Sequence, residues 1–251
     1  MSILHHYIPA KRIADNVLGL YDIIDDNFLT NIGTGTLTGG SNASGHNLPS
    51  AYQELTFIES DGDCWIDTNY YPVYNTWFEI DCQLVSMHAG SNHFIGSYSQ
   101  SSEGGLSTCF GLQTHTSSTN SWICWANTQQ EFYSLTDVYS RNTVKCIASG
   151  EIAPWYNRVY LNNSLIKNTE YLTSIEHKTS ARSMLIFATN HYGSTSGGIR
   201  FKSAGKLFEL KIGEGFEEEN LNLNYDGQWV KHLVYDGNSV DHLVYNGNNV
   251  F

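Results

Sequence analysis

The run over residues 52–84, YQELTFIESDGDCWIDTNYYPVYNTWFEIDCQL, constrains this chain more than any other. Near its end, Trp77, Glu79, Asp81 and Gln83 fall on one side of an extended strand, and Phe78, Ile80, Cys82 and Leu84 fall on the other. That is a period of two, which no helix sustains. Near its start, residues 54–59 read as a strand, Ser60-Asp-Gly-Asp63 as a tight turn and residues 64–68 as the answering strand of a hairpin. Asn162-Asn163, between the β-runs 158–161 and 164–166, gives a second hairpin signal. Further short β-runs at 93–98, 108–113, 121–125, 143–148, 184–188 and 205–212 recur at sandwich spacing. No window holds a helical period beyond a turn or two. The chain is therefore expected to be all-β.

Apolar residues make up 41% of the 251 positions and aromatic ones 13%, enough to build a core. Only 15% are charged, so Asn, Ser, Thr and Gly carry solubility, a bias that suits sheets and turns. The net charge of −12, with no basic cluster beyond Lys11-Arg12, argues against a nucleic-acid partner. No stretch approaches the ~20 apolar residues that span a membrane, so no membrane insertion is expected. Residues 1–7 have neither the basic start nor the apolar run of a secretory signal. The five cysteines show no C-x-x-C spacing, which argues against a disulfide framework or zinc site and for small buried hydrophobes in a reducing cytoplasm.

Residues 31–47 are rich in Gly, Ser and Asn and read as the clearest linker. The C-terminus is an internal repeat: Tyr225, Tyr235 and Tyr245 step by ten, as do Gly227, Gly237 and Gly247, and His232 and His242 keep the same step. Each unit sets an Asp-Gly or Asn-Gly turn between apolar pairs, so each is expected to be a hairpin or meander unit. Such units are marginal alone, and the tail is expected to pack on the sandwich or on copies of itself.

Phe57-Ile-Glu-Ser-Asp-Gly62 and Trp65-Ile-Asp-Thr68, preceded by Leu48-Pro-Ser-Ala-Tyr52, resemble the opening of a concanavalin A-like (laminin-G-like) jelly-roll module. Modules of this kind occur in phage virion proteins and in surface proteins of gut bacteria. Ala51 departs from the usual glycine. Leu185-Ile-Phe-Ala-Thr-Asn190 and Leu207-Phe-Glu-Leu-Lys-Ile212 resemble its closing strands, so the likeness covers about 48–213. Tyr7-Ile-Pro-Ala-Lys-Arg12, Val17-Leu-Gly-Leu-Tyr-Asp22 and residues 27–35 also resemble the family, but there they follow the closing strand instead of preceding the opening one. The resemblance thus implies a circular permutation, with residues 4–8 antiparallel beside 207–212. The alternative, completion of a neighbouring subunit's sandwich, is less favoured because the linker looks long enough. The resulting plan is a permuted segment at 1–40, a linker at 41–51, a concanavalin A-like jelly-roll β-sandwich at 52–213 and a decapeptide β-repeat tail at 214–251.

Glu79-Ile-Asp81-Cys-Gln83 resembles the Glu-x-Asp-x-Glu strand of laminarinase-like glycosidases, which share this fold. Gln83 stands where the general acid would be, and an amide cannot deliver and retrieve a proton. No catalytic residue is therefore assigned. Glu59, Asp61, Asp63 and Asp67 form an acidic cluster for which Ca²⁺ is the alternative to plain turn chemistry; the favoured expectation is no metal and no cofactor. The ten histidines show no metal-site spacing. Most aromatics are accounted for by core and subunit interface. Trp122, Trp125, Trp155 and Tyr192 are the candidates for stacking on a sugar, with Trp122 and Trp125 on opposite faces of their strand.

The expected function is structural: a phage virion protein, as head fibre, decoration or tail subunit, assembled in the host cytoplasm. It would be a homo-oligomer with other virion proteins as partners and cell-surface glycans as the ligand of its sandwich. A bacterial surface lectin and a laminarinase-like glycosidase are the alternatives.

Overall fold

The computed structural model describes residues 1–86, 92–99, 108–114, 121–126, 129–134, 139–150, 154–173, 177, 179–191, 199, 200 and 202–217, and short strands of the tail. Two compact units emerge, residues 1–217 and 218–251. The first unit begins with β1 (Ser2–Arg12), β2 (Leu18–Asp22), β3 (Asn27–Thr30), β4 (Leu37–Gly39), β5 (Tyr52–Glu54), β6 (Ile58–Asp61) and β7 (Ile66–Asp67). It continues through β8 (Thr76–Ser86), β9 (Asn92–Ser99), β10 (Thr108–Thr114), β11 (Ser121–Ala126), β12 (Gln129–Ser134) and β13 (Asn142–Ala148). It ends with β14 (Trp155–Leu161), β15 (Ser164–Tyr171), β16 (Leu185–Ile186), β17 (Thr189–His191), β18 (Ile199–Arg200) and β19 (Ala204–Glu214). Among the described residues there is no helix, and none therefore long and apolar enough to cross a membrane.

These strands form an all-β sandwich of two sheets whose pairings are antiparallel except between β17 and β9. The larger sheet has 11 strands in the order β15-β14-β13-β8-β19-β1-β2-β3, with β4, β5 and β6 alongside, and the smaller has 8, ordered β12-β11-β10-β9-β16-β7 with β17 and β18. The alternation read from the sequence sets the layers. Phe78, Ile80, Cys82 and Leu84 of β8 are buried inward, whereas Glu79, Asp81 and Gln83 lie half-buried on the opposite face. Leu207, Leu210 and Ile212 of β19 and Val144 and Cys146 of β13 extend that inner face. Phe94, Ile95, Phe110, Leu112 and Ile186 of the smaller sheet belong to the same core. Each such aliphatic or aromatic side chain contributes roughly 1.5–3 kcal/mol by leaving water.

The N-terminal strand lies inside the larger sheet. β1 runs antiparallel to β19, with His5 opposite Ile212, His6 opposite Lys211 and Tyr7 opposite Leu210, and β2 flanks its other side. From Ala10 onward β1 pairs with β5 instead. Pro9, which has no N–H to give, lies at that hand-over.

Two local readings change. The Gly-rich run is not a bare linker: Leu37 is buried and β4 pairs with β6. Residues 54–68 do not form a hairpin. β6 joins the larger sheet beside β19 and β4, whereas β7 pairs with β16 in the smaller one. The Asp-Gly signal marks a corner between sheets. There Asp61 Oδ1 accepts the Asp63 N–H at 2.9 Å, Oδ2 accepts the Thr36 N–H at 2.8 Å, and Gly62 takes a φ of 101°. An Asx turn has the same local chemistry whether its strands return to one sheet or part to two.

Among its described residues the second unit holds three two-stranded ribbons. They are β20 (Leu223–Tyr225) with β21 (Gln228–Val230), β22 (Val234–Tyr235) with β23 (Asn238–Ser239), and β24 (Val244–Tyr245) with β25 (Asn248–Asn249). Tyr225 pairs with Gln228, Tyr235 with Asn238 and Tyr245 with Asn248, so the pairing recurs at the same place in each repeat.

Candidate functional site

Sheet register builds a polar row across the outer face of the larger sheet. His6 stands opposite Lys211, Lys211 opposite Glu79, Glu79 opposite Lys145 and Lys145 opposite Tyr160, from β1 through β19, β8 and β13 to β14. Neighbours in such a row are close enough for their side chains to interact. Lys211 Nζ is 3.1 Å from Glu79 Oε1 and 3.1 Å from Glu209 Oε1. Burial pulls the Lys211 ammonium down, but its bonds to Glu209 and Glu79 outweigh this and raise it. Glu209 is held down to about 2, chiefly by its hydrogen bond with His6.

Between β8 and β14 this face sinks into a cavity of about 200 Å³ lined by Glu79, Thr143, Lys145, Tyr160, Asn163 and Glu217. Tyr160 Oη donates to the Glu217 carboxylate, 2.8 Å from each oxygen, and Arg158 Nη1 reaches Glu217 Oε2 at 3.1 Å. Burial, followed by the bond to Glu217, pushes the Tyr160 phenol up to about 12. The Glu217 backbone N–H is tied to Ala148 O at 2.8 Å, which fixes the acid over the opening. Lys145 Nζ lies 5.7 Å from the Trp77 ring and 5.6 Å from the Tyr160 ring. The cavity therefore converges two carboxylates, an ammonium, an amide and two hydroxyls. It is smaller than the about 300–1,000 Å³ pockets that enclose drug-sized ligands, so it suits one small polar group.

The glycosidase-like strand is present as a strand, with its three polar residues on the solvent face. Glu79 is paired with Lys211, Asp81 accepts a forked pair from Arg141 at 2.9 and 2.7 Å, and Gln83 Nε2 donates to Tyr139 O at 2.7 Å. The side chains are thus held by neighbours rather than aimed together at one point.

No protein-family model matches the chain, and no curated protein matches it. Several solved structures show a distant likeness to it. A β-1,3-1,4-glucanase (lichenase) derived from a mouse hindgut metagenome is 8% identical, covering 72% of this chain and 79% of its own, with a TM-score of 0.38. The endo-β-1,4-glucuronan lyase of Trichoderma reesei is 6% identical over 85% of this chain and 96% of its own, at 0.46. The carbohydrate-binding module CBM66 of Bacillus subtilis is 12% identical over 70% of this chain and 93% of its own, at 0.33. All three are too distant to carry a ligand or a reaction across.

The aromatic candidates are not assembled into one platform among the described residues. Trp155 alternates inward with Asn157 and Val159; it is 4% exposed, stacks on Tyr171 at 4.4 Å and donates Nε1–H to Thr173 O at 2.8 Å. That ring is packed and satisfied within the sheet, so it offers no open face to a sugar, which corrects its selection. Trp122 and Trp125 lie on β11 opposite Tyr133 and Gln130, with side chains outside the described part, and Tyr192 is outside the described residues. The acidic cluster separates: Glu59 faces Lys206, Asp63 pairs with Lys202 at 2.8 Å, Asp61 caps its own corner, and Asp67 accepts from Asn69 N and Ser183 Oγ. Sequence reasoning missed Thr143, Lys145, Tyr160, Asn163 and Glu217. The alternation of β13 and β14 marks Thr143, Lys145 and Tyr160 as outward, but only the register brings them beside Glu79.

Proposed function

We propose that this protein is a glycan-binding sandwich that does not hydrolyse its ligand, displayed on a phage virion as a head-fibre, decoration or tail subunit. The observation that carries the binding is the cavity of Glu79, Thr143, Lys145, Tyr160, Asn163 and Glu217. Its mixed acceptors, donors and hydroxyls match the vicinal hydroxyls of one sugar ring, whose O–H groups both give and take hydrogen bonds. Binding is favoured over hydrolysis because Gln83 occupies the acid/base position, and because Glu79 and Asp81 are each engaged by a cation. The virion setting is supported by the resemblance over about 48–213 and by the Tyr-Asp-Gly tail repeat.

A glycan array, with titration of any hit, tests the binding. Glu217→Gln and Lys145→Met are expected to weaken a bound glycan about tenfold or more, since each removes a charge-assisted contact. Failure to bind any glycan, or affinity unchanged in both variants, would refute the site. Peptide mapping of purified particles tests the setting, and absence of the chain from virions would refute it.

A further inference from the structure

We propose that His6, His46 and Glu209 form a binding site for a first-row divalent metal ion, with zinc as its representative. One donor atom from each lies within 4.8 Å of the donor atoms of the other two. The three come from segments far apart in sequence: His6 from β1, Glu209 from β19 and His46 from the stretch between β4 and β5. Register explains the first two. His6 stands opposite Lys211, and His6 Nε2 lies 2.5 Å from Glu209 Oε1, so a ligating nitrogen already faces a carboxylate.

His46 is positioned by Glu54, a buried carboxylate. The His46 backbone N–H donates to Glu54 Oε2 at 2.7 Å, and the ring Nδ1 lies 3.0 Å from Glu54 Oε1. Backbone bonds from Ala43 N to Glu54 O at 2.9 Å, and from Gln53 Nε2 to Ala43 O at 3.1 Å, hold the same stretch. A carboxylate on Nδ1 of a histidine fixes the tautomer that carries its lone pair on Nε2, the arrangement that supports metal-ligating imidazoles. The His6 and His46 rings are 5.6 Å apart and nearly perpendicular.

Two imidazoles and one carboxylate suit zinc, cobalt or nickel rather than calcium or magnesium, which favour all-oxygen sets. Bonds of ~2.0–2.2 Å in a tetrahedron hold donor atoms about 3.2–3.6 Å apart, so small side-chain rotations would part His6 Nε2 from Glu209 Oε1 and bring His46 in beside them. The ion takes the place of the proton between His6 and Glu209. Lys211 opposes it, because its Nζ contacts the same Glu209 oxygen, but it keeps Glu79 as partner. His5 with Asp22 and Asp25 is a second convergence, in which one nitrogen, Nδ1, serves both carboxylates at 2.7 and 3.3 Å. It supplies an internal control. An ion at the first site would fasten the N-terminal strand and the stretch before β5 to β19.

Calorimetry of the untagged full chain, stripped with EDTA and titrated with zinc chloride, tests the site. One equivalent is expected to bind, with Tm rising about 5–10 °C at one hundred times Kd. His46→Ala and Glu209→Gln should each weaken binding tenfold or more, and Asp25→Asn should leave it unchanged. No binding, binding that survives both ligand substitutions, or binding abolished by Asp25→Asn would overturn the proposal. Imidazole ¹H–¹⁵N spectra of the wild-type chain need no variant. The His6 and His46 signals must move on adding zinc, and movement confined to the other histidines would equally overturn it.

Discussion

Replacing Gly213 with alanine measures whether the N-terminal strand is seated beside β19. A Cβ on Gly213 would press on the backbone oxygen of Ser2, well inside contact distance, and would lie 2.5 and 2.6 Å from Cζ2 and Cε2 of Trp77. Neither neighbour yields readily: Ser2 belongs to the ladder opposite Glu214, and Trp77 is only 5% exposed. The backbone at Gly213 has no left-handed φ, so alanine itself is acceptable there. On a β19 without β1 or Trp77 against it, Gly→Ala would gain roughly 0.5–1 kcal/mol through the unfolded chain. Against both neighbours, overpacking should cost about 1–3 kcal/mol. At about 2–4 °C per kcal/mol for a domain of this size, Tm should fall by about 2–12 °C. Urea and thermal unfolding followed by tryptophan fluorescence read the change. Deleting residues 1–3 removes the Ser2 part of the clash, so the alanine penalty should shrink in that background by about 0.5 kcal/mol or more. A Gly213→Ala chain as stable as wild type, or more stable, would refute the seating of β1.

Two further outcomes follow from the corner and from the acidic strand. The Asp61 carboxyl is held below its ordinary value, first by the Thr36 N–H. A depressed folded value gives stability that is present above the unfolded value of ~3.9 and lost as pH falls through the folded one. The Tm gap between wild type and Asp61→Asn should therefore be widest near neutrality and close below about pH 4; a gap constant from pH 7 to 3 would contradict this. Gln83→Glu completes the row of alternate acids, yet no β-glucan hydrolysis is expected, because Lys211 and Arg141 still hold Glu79 and Asp81. It should also destabilise by about 1–3 kcal/mol, since a carboxylate would then face the Tyr139 carbonyl; reducing sugar released above the buffer control would disprove the reading.

What the sequence made legible was governed by local periodicity. The two faces of β8 follow from alternation alone, and the Asn162-Asn163 turn, with φ of 49° and 65°, is the left-handed pair its residues favour. The partnership of β1 with β19 was readable only through a resemblance, because nothing in Leu4–Ile8 specifies which distant strand it meets. Ser60–Asp63 misled for a related reason. The turn is real, but whether β7 returns to β6 or crosses to β16 is decided by burial of Ile66 and Leu185 in the other sheet. The cavity was opaque in the same way: Glu79, Lys145 and Tyr160 are neighbours by register, and Glu217 reaches Tyr160 from beyond the last strand of its unit. Trp155 was misjudged because an abundant aromatic type was read without its phase in β14, where it points inward.

The position of β1 also dictates an order of events during synthesis. Ser2 meets Glu214 across a separation of 212 residues, so β1 cannot be seated until nearly the whole sandwich has followed it from the ribosome. Contacts of such length are entropically late and slow folding. Until then, the β1–β2–β3 meander is an orphan with an unfilled edge, and β19 exposes the matching edge on arrival. When many copies are made side by side, the β1 of one nascent chain and the β19 of another are competing partners. Swapped dimers formed during crowded expression, and their decrease on slowing translation or cooling, are the kinetic signature this topology carries.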